Sequence, residues 1–302
     1  DSGCIEDLFF RENQSKALEI CEYDYEYKKQ FFVDESMLLH DSVILQCKGL
    51  DTLCDIFING KKVSSTSDMH RTYEINVKHI LQKGENTIRL VFLSPIKYCR
   101  QKNLETQLYN SSYALPGISH LRKAHCMFGW DWGPQLPDAG IWRDISICGY
   151  DTARIDDVYI TQKHMSDMVG LDIRIGVNRF ANAKLLTAVQ VTAPDGKSFT
   201  ETTDQINTSG HIFIDVKDPE LWWPNNLGEH PLYTVKVLIS TEDGIELDQR
   251  ILRIGLRTLT VKREKDEWGE CFAHEVNGAA VFAMGADYIP EDNLLGRVTP
   301  ET

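Results

Sequence analysis

The sequence lacks any apolar run approaching the roughly 18 residues that span a bilayer, and it lacks low-complexity segments and clear repeats. We therefore expect no membrane-spanning helix. Of its 302 residues, 42% are hydrophobic and 25% are charged, a balance typical of chains that bury sizeable cores. The length exceeds that of one ordinary domain, so two or three domains are expected.

Positively charged residues are fewer than negatively charged ones. There are 32 Lys and Arg residues against 45 Asp and Glu residues, which gives a net charge of −13, and no long run carries a single sign. Such a surface repels nucleic acids and anionic membranes, because both are negatively charged. Neither is expected as a partner, and neutral or cationic ligands fit this charge better.

Paired cysteine motifs are also missing. No Cys-x-x-Cys pair occurs, which argues against a zinc site and a disulfide framework. Buried free thiols in a reducing, cytoplasmic compartment are the simpler interpretation. The Asn-x-Ser/Thr triplets at Asn13, Asn110 and Asn207 leave a lysosomal or secreted protein open. The cysteines lie at positions 4, 21, 47, 54, 99, 126, 148 and 271.

Other common site patterns are absent as well. The sequence contains no glycine pattern of a nucleotide site, no Ser-His-Asp arrangement and no metal-ligand spacing. We therefore expect neither a metal nor an organic cofactor.

The first half of the chain is predicted to form short strands separated by turns. Ile88, Leu90 and Phe92 alternate with polar residues, the period of a half-buried strand. Asn59-Gly60 is a strong signal for a type I′ hairpin. A short surface helix is predicted over 96–108. The predicted strands are 25–33, 43–47, 55–58, 71–77 and 87–93, with a closing strand at 141–148. This pattern favours a sandwich or jelly roll.

After about residue 150 the strands follow one another with few insertions. Turns are predicted at Pro194-Asp195-Gly196 and Glu242-Asp243-Gly244. The predicted strands are 158–162, 170–177, 185–192, 211–216, 232–239 and 247–256. About a hundred residues with this spacing indicate an immunoglobulin-like sandwich. From about residue 260, a hairpin at 272–282 leads into Ala283-Met284-Gly285-Ala286-Asp287, an apolar strand with a polar end that is typical of a barrel strand.

The most distinctive segment is Phe-Gly-Trp-Asp-Trp-Gly-Pro at 128–134. Indole faces stack on the C–H faces of sugars, and a carboxylate between them can accept hydrogen bonds from two adjacent hydroxyls. Glycines on both sides permit backbone angles that a side chain forbids. These features predict a sugar subsite. The alternative is a structural corner with two core tryptophans and an aspartate that caps a turn.

In their order along the chain, several motifs resemble the β-mannosidases of glycoside hydrolase family 2. The resemblance covers essentially the whole sequence. The motifs are Tyr23-Asp24-Tyr25-Glu26-Tyr27, Gly49-Leu50-Asp51-Thr52-Leu53, Asn59-Gly60-Lys61, Arg71-Thr72-Tyr73-Glu74, Arg122-Lys123-Ala124, the segment 128–134, Gly140-Ile141-Trp142-Arg143, Leu221-Trp222-Trp223-Pro224, Pro231-Leu232-Tyr233, Gly255-Leu256-Arg257-Thr258 and Gly285-Ala286-Asp287-Tyr288-Ile289-Pro290.

The resemblance implies a mainly β architecture in three parts. A jelly-roll sugar-binding domain is expected over 1–150 and an immunoglobulin-like sandwich over 151–259. The start of a (β/α)8 barrel is expected over 260–302. The chain begins at Asp1 and stops without a closing element, so we expect a piece of a longer enzyme. Its partners are expected to be β-mannosides or manno-oligosaccharides and the rest of its own barrel.

The resemblance also implies roles for particular residues. Asp131 accepts hydrogen bonds from the terminal mannosyl ring, and Trp132 forms a wall of the pocket. Trp130 packs the loop onto its own domain, with Gly129, Gly133 and Arg122 as supporting residues. Asp287-Tyr288 contribute further sugar contacts. Relatives usually carry Asn-Trp there, so this chain differs in charge and donor capacity.

Family members are retaining glycosidases, which use one glutamate as nucleophile and a second as acid and base. By the resemblance both belong to later barrel strands, beyond Thr302. Glu267, Glu270 and Glu275 match neither, so no catalytic residue is assigned. The fragment alone is expected to be inactive.

Other readings stay open from the sequence. One alternative is a parent protein that acts on another sugar, as a family 2 β-glucosidase, glucosaminidase or galactosidase does. The others are a non-catalytic carbohydrate-binding module with a sandwich spacer and a protein-interaction scaffold of two β-domains. The basic run His120-x-Arg122-Lys123-x-His125 either holds Asp131 ionised or forms a solvated or supporting face. Trp222-Trp223 favours packing between domains over a second sugar platform.

Overall fold

The computed structural model describes residues 5–301, and antiparallel β-sheets are its main regular structure. Contacts between residues divide this chain into two compact units. The first unit contains residues up to 149 together with 288–301, and the second contains residues 150–287. The predicted domain bounds at 150 and 259 stay predictions.

The first unit contains three α-helices, three 3-10 helices and nine strands within the described residues. The α-helices are α1 (Asn13–Ile20), α2 (Glu35–Leu39) and α3 (Pro95–Glu105). The 3-10 helices are Ile118–His120, His125–Phe128 and Leu295–Arg297. The strands are β1 (Tyr25–Val33), β2 (Ser42–Cys47), β3 (Leu50–Asp51), β4 (Cys54–Ile58), β5 (Lys61–Thr66), β6 (Tyr73–Asn76), β7 (Gly84–Phe92), β8 (Gly140–Ile141) and β9 (Ile145–Tyr150).

These strands form a β-sandwich, as the sequence predicts. One sheet has the order β1-β7-β4-β5, and another has the order β6-β2-β9, while β3 and β8 form a short pair. Buried side chains from both larger sheets meet in one cluster, for example Leu45 of β2 with Ile56 and Phe92 of the other sheet. The predicted alternation in β7 is confirmed, because Leu90 and Phe92 point into this cluster and Ile88 packs at its margin.

The hairpin at Asn59-Gly60 is confirmed. Ile58 pairs with Lys61 across a two-residue loop, and both loop residues have positive φ angles, +49° and +79°. These angles are those of a type I′ turn. The Asn59 side chain also accepts from the Thr87 amide at 2.9 Å, which ties the turn to β7.

The structure of the first unit differs from the predictions at several places. The helix predicted over 96–108 is α3, which begins after Ser94 caps the Lys97 amide and ends at Glu105. The closing strand is split into β8 and β9, because Trp142 and Arg143 turn their amides towards the Gly49 carbonyl. Helices α1 and α2 were not predicted. Both are short, and neither carries a side-chain cap that the sequence could reveal.

The second unit contains twelve strands within residues 150–287. They are β10 (Ala153–His164), β11 (Met168–Arg179), β12 (Leu185–Thr192), β13 (Ser198–Thr203), β14 (Ser209–Lys217), β15 (Tyr233–Thr241), β16 (Glu246–Ile254), β17 (Leu259–Lys262), β18 (Lys265–Asp266), β19 (Gly269–Glu270), β20 (Ala273–Val276) and β21 (Ala279–Val281).

The first seven of these strands form the predicted immunoglobulin-like sandwich. A sheet of order β10-β11-β14 and a sheet of order β13-β12-β15-β16 share one buried cluster. The turns predicted at 194–196 and 242–244 join β12 to β13 and β15 to β16. Strand β13 was not predicted because most of its residues are polar, and only Phe199 packs against the core.

The predicted barrel strand is not formed. Strands β20 and β21 make the predicted hairpin around Asn277-Gly278, but residues 282–290 adopt no regular secondary structure. A barrel strand is held by hydrogen bonds to parallel neighbours. Residues 5–301 supply no such neighbour to this segment. The start of a barrel therefore stays a prediction.

None of the helices formed by residues 5–301 combines the length and apolarity that crossing a membrane requires. The seven cysteines in this range are free thiols, and Cys4 lies outside it. Burial raises the pKa of Cys47 and Cys54 to about 12 and the pKa of Cys21 and Cys99 to about 11. These four thiols are therefore neutral side chains of the core.

Candidate functional site

The aromatic loop, residues 128–134, is anchored at both ends by buried side chains. Phe128 is completely buried in a cluster with Leu121 and Ile118, and Leu136 is buried on the other side. The Leu136 amide donates to the Met127 carbonyl at 2.8 Å, and the Leu115 amide donates to the Phe128 carbonyl at 3.0 Å. The apolar residues next to the loop therefore fix its base and leave its tip free.

Gly129 is required by the path of the chain at the start of the loop. Its φ of +108° and ψ of 154° lie in a region that is essentially open to glycine alone. A Cβ atom here would stand 2.6 Å from Cγ of Gln135 and 2.9 Å from the carbonyl oxygen of Tyr113. At Gly133 a Cβ atom would stand 3.3 Å from Cβ of Trp130, which is tight but not forbidden.

The two indoles lie at the tip, and both are exposed. Trp130 is 46% exposed and Trp132 is 66% exposed. Their ring centroids lie 6.0 Å apart at an interplanar angle of 75°, an edge-to-face pair. The Trp130 ring contacts the Trp132 ring and is partly open to solvent, and the packing role that the resemblance implies for Trp130 stays a prediction.

Asp131 lies between these indoles and is exposed. Its carboxylate accepts no hydrogen bond and forms no ion pair with any residue in 5–301. The turn at the tip is closed instead by the backbone, where the Trp130 amide donates to the Gly133 carbonyl at 3.2 Å. The alternative in which Asp131 caps the turn therefore has no support in this geometry.

The basic run before the loop divides into buried and exposed parts. Lys123 is fully buried, and its Nζ contacts Asp51 and lies 3.6 Å from Asp138. Arg122 and His125 are exposed, and the Arg122 carbonyl accepts from the Met69 amide at 3.0 Å. Lys123 thus pairs with Asp51 and Asp138, and the structure shows no ion pair between this run and Asp131.

A residue that the sequence did not indicate holds the aromatic loop from outside. Asn293, in the segment that returns to the first unit, donates its side-chain amide to the Cys126 carbonyl at 2.9 Å and to the Pro134 carbonyl at 2.8 Å. These two carbonyls flank the loop. Because Asn293 lies 159 residues beyond Pro134, no local pattern could reveal this contact.

The other two predicted sugar contacts, Asp287 and Tyr288, are both exposed, and their role stays a prediction. Asp287 is exposed at the end of the second unit, and Tyr288 begins the segment that returns to the first unit. The Tyr288 hydroxyl donates to the Glu291 carboxylate. This bond lowers the pKa of Glu291 and raises the pKa of Tyr288.

The second pair of tryptophans is half-buried within the second unit. Trp222 packs against Gly255 and beneath the guanidinium of Arg257, whose Cζ lies 4.6 Å from the ring centroid. Trp223 packs against Gly228. The packing between domains predicted for this pair stays a prediction. Residues 5–301 contain no group of three side chains placed to hold a metal ion.

Two family models match this chain on either side of residue 150. A model described as glycosyl hydrolase 2 galactose-binding domain-like matches residues 1–143, and a model described as glycosyl hydrolases family 2 matches residues 153–257. The chain belongs to glycosyl hydrolase family 2. The two matched stretches are those that carry the two sandwiches.

Individual relatives of this family 2 chain are named as β-mannosidases. It is 29% identical over 272 residues to β-mannosidase B of Aspergillus oryzae, which covers 86% of this chain and 31% of that protein. It is 25% identical over 313 residues to β-mannosidase of Bos taurus, which covers 98% of this chain and 35% of that protein.

A solved structure of β-D-mannosidase from Dictyoglomus thermophilum matches with a TM-score of 0.91 and 30% identity. The match covers 99% of this chain and 37% of that protein. The chain thus spans about a third of the length of the relatives it matches.

Proposed function

We propose that this chain is the sugar-binding portion of an exo-acting family 2 glycosidase that removes terminal, non-reducing β-D-mannose residues. The relatives named above as β-mannosidases support this choice of sugar. The free thiols of the core favour a reducing, cytoplasmic setting for the enzyme.

One observation carries the proposal: an exposed carboxylate without a protein partner lies between two exposed indoles on an anchored loop. Most carboxylates of a folded protein lie on open surface, where they pair with a cation or are hydrated. Two neighbouring tryptophans are rarely both exposed. At the tip of the aromatic loop, Asp131 is free to accept hydrogen bonds from two adjacent hydroxyls of a sugar. Trp132, the more exposed indole, offers a face for the C–H side of the same ring.

In this proposal the chain binds and orients the terminal sugar, and it does not carry out the bond cleavage. The reaction is a double displacement in which one glutamate attacks the anomeric carbon. A second protonates the leaving oxygen and later activates water. We place both glutamates in a part of the enzyme outside these 302 residues. Asp131 fixes the ring while that chemistry proceeds, and its charged hydrogen bonds strengthen as the ring distorts towards the transition state.

The carboxylates near the end of the second unit do not fit these catalytic roles. Glu270 is paired with Arg263 at 2.8 Å, and Glu275 accepts from the Thr260 hydroxyl at 3.3 Å. Glu267 lies in the turn between β18 and β19. We therefore expect the 302-residue chain alone to show no turnover of an aryl β-mannoside, and measurable turnover would contradict the placement of the glutamates.

The role of Asp131 is tested by Asp131→Ala in the full-length enzyme. Loss of charge-assisted hydrogen bonds to the sugar should lower kcat/KM by about 2–3 kcal/mol, roughly 30- to 150-fold. Glu267→Ala is a matched control, because Glu267 is also an exposed carboxylate without a partner in residues 5–301. Unchanged kinetics with a lowered melting temperature would show that Asp131 is structural and would overturn the proposal.

The sugar itself is tested by comparing the wild-type enzyme on four aryl glycosides. The β-mannoside should be preferred over the β-glucoside and β-glucosaminide, which differ from it at C2, and over the β-galactoside, which differs from it at C2 and C4. Preference for another of the four glycosides would contradict the proposed mannose specificity, but it would not contradict the family or the sugar-binding role of the aromatic loop.

A further inference from the structure

Within residues 5–301, Asn293 is the residue whose side chain donates hydrogen bonds to both arms of the aromatic loop. We infer that Asn293 is a positioning residue, which holds the loop in the conformation that presents Asp131 and Trp132. The inference rests on the proposed function for the meaning of that conformation. The hydrogen bonds that carry it do not depend on the function.

The two bonds from Asn293 span the loop. Its Nδ2 atom carries two hydrogens, and the acceptors are the carbonyl of Cys126 before the loop and the carbonyl of Pro134 at its end, at 2.9 and 2.8 Å. One planar amide group thus fixes the separation of the two arms of the loop. An amide is suited to this task because it offers two donors in one plane.

Two backbone hydrogen bonds also join the two arms of the loop. Between its arms, the amides of Leu136 and Trp130 donate to the carbonyls of Met127 and Gly133 at 2.8 and 3.2 Å. No strand ladder supports the tip, since the structure assigns no strand between β7 and β8. The side chains of Trp130, Asp131 and Trp132 are exposed at the tip, and the two indole rings contact each other there rather than at the base of the loop.

Asn293 is itself held in place by its neighbours. One carboxylate oxygen of Asp292 accepts from the Leu294 amide at 2.8 Å, and the other accepts from Nε and Nη2 of Arg297 at 2.9 and 2.7 Å. The Arg297 guanidinium also lies over the ring of Phe9, with Cζ at 5.1 Å from the centroid. This local network makes the turn around Asn293 rigid, so the amide is presented to the loop at little cost in side-chain entropy.

The inference is tested on the 302-residue chain by hydrogen exchange, with no sugar present. Asn293→Ala removes both donors, so the amides of Trp130 and Leu136 should exchange about tenfold faster. Asn293→Asp keeps the size of the side chain but replaces the donors with acceptors, and the same acceleration is expected. Asn293→Ser keeps a single donor and should give an intermediate rate.

The control is Asn178→Ala. Asn178 also donates its side-chain amide, to Asp156 at 2.7 Å, but it lies in the second unit. Exchange in the aromatic loop should not change in this variant. Unchanged exchange of Trp130 and Leu136 in both Asn293→Ala and Asn293→Asp, with thermal unfolding showing both folded, would overturn the inference.

Kinetics of the full-length enzyme separate this inference from the proposed function. If both hold, Asn293→Ala lowers kcat/KM about tenfold, and Asn293→Ser lowers it less. If Asp131→Ala leaves the kinetics unchanged while Asn293→Ala still accelerates exchange, the proposed function is refuted and the positioning role of Asn293 is supported. If Asp131→Ala lowers kcat/KM but Asn293→Ala changes neither exchange nor kinetics, the function stands and the role of Asn293 is refuted.

Discussion

Two charged residues of the first unit, Asp131 and Lys123, differ in their exposure and in their partners. Asp131 is left in water without a protein partner, at the tip of an anchored loop. Lys123, eight residues earlier, is fully buried against Asp51, whose side chain is itself almost fully buried. In the proposed function the exposed carboxylate of Asp131 serves a ligand, whereas the buried ion pair of Lys123 serves the fold.

Breaking the Lys123 pair should be costly. Lys123→Met leaves Asp51 buried without its counter-charge, so the free energy of unfolding in urea should fall by about 3–5 kcal/mol. Lys48→Met is the matched control, because Lys48 pairs with Asp144 at 3.6 Å while both side chains are well exposed. That variant should cost no more than about 1 kcal/mol.

A double variant adds a second check on Lys123. Asp51→Asn in the Lys123→Met background removes the stranded charge, so it should recover part of the lost stability. Equal costs for Lys123→Met and Lys48→Met would contradict the buried pair.

The sequence could indicate Asp131 and the two indoles because they are adjacent in one short motif. It could not indicate that Lys123 pairs with Asp51, which lies 72 residues away, or that Asn293 reaches Cys126 across 167 residues. A run such as His120 to His125 looks like a uniform basic patch in the sequence. Only the fold decides which of its side chains turns inwards.

At the scale of elements, the aromatic loop depends on its first glycine. Gly129→Ala combines a disfavoured φ with contacts of 2.6 and 2.9 Å to Gln135 and Tyr113, so the loop must shift. Gly196→Ala is the matched control, since its φ is +88° but no atom lies within 4 Å of the new Cβ. Gly196→Ala should lower the free energy of unfolding by about 1 kcal/mol, because only the disfavoured backbone conformation contributes.

We expect Gly129→Ala to cost at least 1 kcal/mol more than this control in chemical unfolding. It should also accelerate proteolysis between residues 128 and 136. Equal losses of stability and equal proteolysis in the two variants would show that the close contacts at Gly129 are relieved without moving the loop.

Elements with local signals were predicted well, and elements that depend on distant partners were not. The Asn59-Gly60 turn and the turns at 194–196 and 242–244 follow from residues that favour positive φ or tight turns. Strand β13 has no apolar alternation and forms because β12 offers it a pairing edge. The segment 283–287 has the apolar residues and polar end predicted for a barrel strand, but no partner within residues 5–301 pairs with it.

At the scale of the whole molecule, the two units differ in how they are built along the chain. The first unit is discontinuous, because residues 288–301 return to it and supply Asn293 and Arg297. The second unit is one continuous segment, and both of its larger sheets contribute to one closed cluster of buried residues. A continuous unit with its own core has what independent folding requires.

Residues 150–287, expressed alone, should therefore fold into the second sandwich. We expect dispersed amide resonances and a single cooperative thermal transition, with an enthalpy of about 100 kcal/mol near 60 °C for a domain of this size. Residues 150–232 are the control: they lack β15, whose Tyr233, Val235 and Val237 are almost completely buried, and they should remain unfolded. A non-cooperative melt of 150–287 would mean that residues outside this segment are needed to fold the second core.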